Sequence, residues 1–271
     1  MSLLPRAPLL EAIFIINWGK LPEGVVFPKL SVNGIQPISL NYTQDHAVIF
    51  SGKFAAEIAK KDFTEIQSAP IANPFMGPVP QMRFNKPGNS SSIYQIGMGL
   101  FSIHQLNEGY EWNAFRNLIL DGTDAFVKAV PGGLETTDIV SMELRYRDGL
   151  LFEEGETALD FLQNKMLVKL VAPDRLFSFP GLDDKVMASR VNFGIACENP
   201  DGIYVLDLMQ GETSEGKGYI LDTVVKSSIN EKISLEPTFL EKWLNDAHLL
   251  QKHSFENVIN KAHAEKAFQG T

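Results

Sequence analysis

Twice along this chain a strand-rich stretch gives way to a long amphipathic helix, first around Tyr110 to Val130 and again around Glu236 to Phe268. A helix with one apolar stripe must bury it against another layer, and the strands ahead of it supply that layer. The repeat predicts an α+β fold made of two related antiparallel sheet-plus-long-helix halves, in separate sheets or joined in one extended sheet. The halves are expected at residues 1–150 and 151–271, with internal duplication behind them and a soft seam in the charged segment from Asp148 to Glu156. With 271 residues, 44% of them hydrophobic and 21% charged, the chain can bury such cores without disulfide or metal staples.

Periodicity sets the expected elements. Leu10 to Trp18 reads as a strand, and Ala47 to Phe50 as a short apolar run. Phe54 to Ile66 fits either a strand or a helix. Ser92 to His104 reads as one strand, in which Gly97 and Gly99 share a face and leave room for the helix that follows. In that helix Trp112, Phe115, Ile119, Phe126 and Val130 make the inner stripe, and Pro131-Gly132-Gly133 ends it. Asp138 to Arg147 alternates cleanly, with Val140, Met142, Leu144 and Tyr146 on one face. In the second half, strands are expected at Asn164 to Ala172, where Lys165 and Lys169 mark a solvated face, and at Arg190 to Cys197, Ile203 to Met209 and Tyr219 to Lys226. The turn Asn199-Pro200-Asp201-Gly202 joins the middle pair. The last helix should open with a capping box from Thr238 to Glu241 and bury Leu240, Trp243, Leu244, Ala247, Phe255, Val258 and Ala262.

Composition narrows the functional classes. A formal charge of −9 argues against nonspecific attraction to nucleic acid or an anionic membrane. The lone Cys197 excludes an intramolecular disulfide framework, and no signal peptide or membrane span is apparent, so the cytoplasm is the expected compartment. The phosphate-binding loop, the dinucleotide fingerprint, H-E-x-x-H, C-x-x-C and the G-x-S-x-G elbow do not occur.

The remaining polar constellations define candidate sites. Glu143, Arg145 and Arg147 project from one strand face, where two guanidinium groups suit a carboxylate or phosphate. The same pattern also describes a salt-bridged outer face. His104 is the histidine best placed for function, at a strand end before the first helix, whereas His248 sits at the edge of an apolar stripe. If the two strands flanking Ser214 and Glu215 form a hairpin, Val205 faces Val224, Met209 faces Ile220 and Asp207 faces Asp222. Opposed carboxylates repel, so the pair calls for a cation, a basic partner or a shared proton. A one-residue slip would separate them.

The tract Tyr110-Glu-Trp-Asn-Ala-Phe, then Leu144-Arg145-Tyr146, Leu221-Asp222 and His248 with Phe255 and Ile259, resembles a sporadically distributed, uncharacterised prokaryotic protein family of about this length. Arg147-Asp148 departs from the asparagine-containing turn of that pattern. The resemblance implies a whole-chain architecture and no activity. The leading functional expectation is therefore a noncatalytic, soluble binding or interaction protein that meets an unknown protein or small molecule near Arg145 and Arg147. The alternatives are a metal-assisted hydrolase holding a divalent cation at Asp207 and Asp222, and an apolar-ligand protein with its pocket between sheet and helix. No other cofactor is expected.

Overall fold

The computed structural model describes residues 9–19, 44–68, 79–106, 110–130, 139–166, 168, 189–213, 216–227 and 233–259. In chain order these residues form β1 (Leu9–Trp18), α1 (Gln44–Ala59), β2 (Glu65–Ser68), β3 (Met82–Lys86), β4 (Asn89–Gly97), β5 (Leu100–Leu106) and α2 (Trp112–Ala129). There follow β6 (Ile139–Leu151), α3 (Ala158–Asn164), β7 (Arg190–Glu198), β8 (Asp201–Thr213), β9 (Gly216–Ser227) and α4 (Pro237–Val258). The strands make a nine-stranded antiparallel sheet in the order β2-β3-β4-β5-β1-β6-β9-β8-β7. β1 enters at the middle, α1 follows, the meander from β2 to β5 returns to β1, and α2 follows. β6 then enters beside β1, α3 follows, β7 to β9 returns to β6, and α4 follows.

Alternation along the strands assigns the two faces. Phe14, Ile16, Phe101, Ile103, Leu144, Leu206, Leu221 and Val225 point inward and share a buried cluster with Phe50, Phe54, Phe115, Ile119, Phe126, Leu240 and Leu244 from the helices. Trp18 sits edge-on to Phe50 and Phe126, and Phe101 stacks on Phe126 with ring centres 5.0 Å apart. The Glu111 carboxylate starts α2 by accepting the N–H groups of Asn113 and Ala114, and the Thr157 hydroxyl caps α3 at Asp160. The opposite sheet face carries no helix among the described residues.

Several elements differ from the sequence expectation. Ser92 to His104 is a hairpin, because Gly99 adopts φ +80° and reverses the chain between β4 and β5. Gly97 is approached by the backbone of Val79, not by the helix; the glycine that admits a helix is Gly122 of α2, packed on the Tyr94 ring. The ambiguous stretch resolves into the single helix α1 and the short β2. Asn164 ends α3 instead of opening a strand, and Lys165 is buried between Glu153 and Glu156 at 2.9 and 2.8 Å. α4 begins at Pro237 with Glu236 at its cap and no side-chain cap bond, so Thr238 lies inside the first turn and cannot cap it. The predicted stop at residues 131–133, together with Lys169 and Ala262, falls outside the described residues.

Candidate functional site

Strand register assembles a polar field on the outer face. One row across the sheet runs Glu11, Arg147, Asp222, Asp207, Asn192. The next runs His104, Ile13, Arg145, Val224, Val205, and the third runs Gln95, Ser102, Ile15, Glu143, Lys226, Ile203. The rows bring Glu143, Arg145, Arg147, His104, Asp207 and Asp222 onto one face, together with Glu11, Ser102, Lys226 and Arg190. Glu11, Ser102 and His104 come from before residue 107, and Arg145, Arg147, Arg190 and the two aspartates from after residue 144.

Asp207 and Asp222 stand opposite each other, with Val205 facing Val224 and Met209 facing Ile220. Each aspartate has its own arginine. Arg147 donates to both Asp222 oxygens from Nε at 2.9 Å and Nη2 at 3.2 Å, while Arg190 donates to both Asp207 oxygens from Nε at 2.8 Å and from Nη2. Hydrogen bonds from Arg190 hold the Asp207 carboxyl below its usual range, and Asp222 raises the Arg147 guanidinium. A cation bound between the aspartates would have to displace two bidentate pairs. Among the described residues no group of three or more His, Cys, Asp or Glu side chains has metal-binding geometry.

Matching Glu11, Glu143, Asp207 and Asp222 with their hydrogen-bonding partners leaves one neighbouring cation over. Asp222 takes Arg147, Asp207 takes Arg190, Glu143 takes Lys226 at 2.9 Å, and Glu11 takes His104 at 2.7 Å. Arg145 remains. Its nearest carboxylate oxygens belong to Glu143 at 3.6 Å and Asp222 at 3.9 Å, and its buried Nε has no hydrogen-bond partner. The side chain is 30% exposed, so the guanidinium is anchored by the sheet and still open at one edge.

His104 is doubly held. Its Nδ1 meets Glu11 Oε1 at 2.7 Å and its Nε2 meets Ser102 Oγ at 3.0 Å. Burial alone would raise the Glu11 carboxyl, but the hydrogen bond from His104 and the charges of His104, Arg147 and Arg145 outweigh it and hold it below the usual range. Ser102 and Glu11 were not singled out by sequence reasoning. Their signals were a hydroxyl two residues before His104 on an alternating strand and the one carboxylate in the mostly apolar run of β1.

Behind the sheet lies a second polar cluster. The Tyr110 hydroxyl donates to the Tyr146 hydroxyl at 2.9 Å, which in turn meets His248 Nδ1 at 2.8 Å. Trp112 stacks on the His248 ring at 4.0 Å and 7°. Burial, reinforced by Lys252, pushes His248 down to about 4, so the ring that meets Tyr146 is neutral. These residues come from α2 and the stretch before it, from β6 and from α4. A cleft of about 130 Å³ lies between α4 and the β7–β8 turn, lined by Met142, Pro200, Phe239, Lys242, Trp243 and Asp246 among others. Burial raises the Cys197 thiol, which keeps it protonated and poorly nucleophilic. No described helix is long and apolar enough to cross a membrane. In comparisons with known proteins, no family model and no curated protein matches the chain.

Proposed function

We propose that the protein binds a carboxylate-bearing ligand on the outer sheet face, with Arg145 as the recognising group. The observation that carries this reading is the unspent hydrogen-bonding capacity of Arg145 beside ion pairs that satisfy every neighbouring acid. A guanidinium matches a carboxylate bidentately, and a fixed, partly desolvated one loses little entropy on binding. Glu143 and Arg147 border the site and hold its register, and His104 closes it from across β1. The cytoplasm is the compartment we assign, a reading supported by the free Cys197. Internal duplication is also part of the proposal; the strand, helix, meander, helix order that recurs from β1 and from β6 supports it, with the seam ahead of Ile139 and so earlier than residue 150.

The test is thermal unfolding of the full chain in succinate, inorganic phosphate or chloride at matched ionic strength. Succinate at ~100 times its dissociation constant should stabilise the protein by about 2.7 kcal/mol. That gain should vanish in Arg145→Ala and persist in the more exposed Arg190→Ala. An equal response to all three anions, or a succinate response retained in Arg145→Ala, removes the proposal.

A further inference from the structure

We infer that Ser102, His104 and Glu11 form an acyl-transfer site, with Ser102 as nucleophile, His104 as general base and Glu11 as positioning residue, acting on small esters whose acyl group carries a carboxylate. The carboxylate preference rests on the Arg145 reading above, whereas the Ser102 chemistry stands without it.

The geometry is that of a nucleophile, its base and the group that orients the base. Ser102 Oγ is 3.0 Å from His104 Nε2, and His104 Nδ1 is 2.7 Å from Glu11 Oε1. β5 places Ser102 and His104 two residues apart, hence on one face, and its register with β1 sets Ile13 opposite His104 with Glu11 one step along the same face. The Glu11 carboxylate is ionised at neutral pH and can only accept, so Nδ1 carries the ring proton. Nε2 is then the lone-pair nitrogen, and the Ser102 hydroxyl donates to it. Gln95 stands opposite Ser102 on β4, where its carboxamide N–H groups serve the oxyanion.

In the reaction Ser102 Oγ adds to the ester carbonyl carbon while its proton passes to His104 Nε2. The imidazolium, held by Glu11, returns that proton to the leaving oxygen as the carbon–oxygen bond breaks, and an acyl-serine remains. Water adds to the acyl carbon through the same base, which releases the acid and restores the serine hydroxyl. The steps balance with water as the only co-reactant and need no oxidant or reductant. Ser102 is only 3% exposed, so acylation requires its neighbours on the sheet face to give way. Arg145 lies in the His104 row on the far side of β1, about 10 Å away between backbones, where it receives the distal carboxylate of a short diacid.

The experiment treats the full chain with diisopropyl fluorophosphate, maps the adduct by mass spectrometry, and follows 4-nitrophenolate release from 4-nitrophenyl acetate and 4-nitrophenyl hydrogen succinate. One diisopropylphosphoryl group should appear on Ser102, its oxygen replacing fluoride with loss of HF. Ester cleavage should fall ~10²–10⁴-fold in Ser102→Ala and His104→Gln. Glu11→Gln should move the acidic limb of the kcat/KM profile to lower pH, since the imidazolium loses its counter-charge, and Glu11→Asp should restore part of the rate. A succinate preference of about tenfold, lost in Arg145→Ala, supports the acyl-transfer site and the anion reading together. Ser102 labelling with equal rates on both esters supports the nucleophile and overturns the carboxylate preference. An unlabelled Ser102 in the folded wild-type protein overturns the acyl-transfer site, and succinate stabilisation then decides the Arg145 reading separately.

Discussion

Asp148 offers the sharpest test of the interior. It lies on the inward face of β6, is only 6% exposed, and faces the like charge of Asp222 from a distance. Burial first, and Asp222 second, raise its carboxyl from 3.8 to about 7. In the unfolded chain the group ionises near its ordinary value, so between about pH 4 and 7 the folded protein holds a proton that the unfolded chain has lost. Stability contributed by the neutral acid is complete below the unfolded pKa and is lost as pH rises through the folded one. The full loss above pH 7 is about 4 kcal/mol, from roughly three pKa units at 1.36 kcal/mol each. Asp148→Asn keeps the shape of the protonated acid and removes the titration. Urea unfolding should therefore show Asp148→Asn within about 1 kcal/mol of wild type at pH 4 and more stable by about 2–4 kcal/mol at pH 8. The same difference at both pH values would refute the argument, because a shape or packing effect does not titrate.

Other perturbations separate packing from polar satisfaction. Gly122→Ala drives a methyl into the buried Tyr94 ring, whose hydroxyl is fixed to the Leu118 carbonyl at 2.9 Å, and should cost about 1–3 kcal/mol by thermal unfolding. Gly52→Ala in the middle of α1 meets nothing within 4 Å and should stabilise by about 0.5–1 kcal/mol; a loss at Gly52 or a gain at Gly122 would refute the corresponding reading. Gln251→Leu removes the buried donor to the Leu144 and Thr223 carbonyls at 3.0 and 2.9 Å and should cost about 1–3 kcal/mol, checked by chemical denaturation. Arg147→Ala strips Asp222 of its bidentate partner opposite Asp207 and should cost about 1–2 kcal/mol after allowance for solvent screening. A second change, Asp222→Asn, should recover part of that loss, and strict additivity in the double-mutant cycle would rule out the pairing.

The parts legible in the sequence were those with one dominant local signal. The β8–β9 register followed from alternation around a short connection, so the opposed aspartates were readable before any coordinates. What neutralises them was not, because Arg147 and Arg190 arrive from different neighbouring strands. The β4–β5 hairpin was hidden because apolar alternation continues through Met98 and Gly99, and only the positive φ of Gly99 marks the reversal. α1 was obscured for a different reason. Its inward residues Phe50, Phe54 and Ile58 recur at helical spacing, but Val48 and Ile49 are apolar and exposed at 67% and 48%, which blurs the stripe. Lys165 looked solvated because a lysine in sequence carries no sign of the two glutamates that receive it.

Glu11 joins what otherwise look like two separate sites. Its Oε1 fixes the tautomer of His104, while its Oε2 lies 3.8 Å from Arg147 Nη1, and Arg147 in turn holds Asp222. The serine chain of β5 and the arginine rows of β6 are thus tied through one carboxylate on β1, the strand that pairs with both. The arrangement draws on distant stretches of the chain, since the base and its orienter come from before residue 107 and Arg145, Arg147 and Arg190 from after residue 144. Charge introduced at Arg145 therefore acts on His104 through Glu11, whose carboxyl already responds to Arg145 and Arg147. A carboxylate bound at Arg145 partly cancels that field, weakens the hold of the arginines on Glu11, and frees its charge to stabilise the imidazolium when Ser102 gives up its proton.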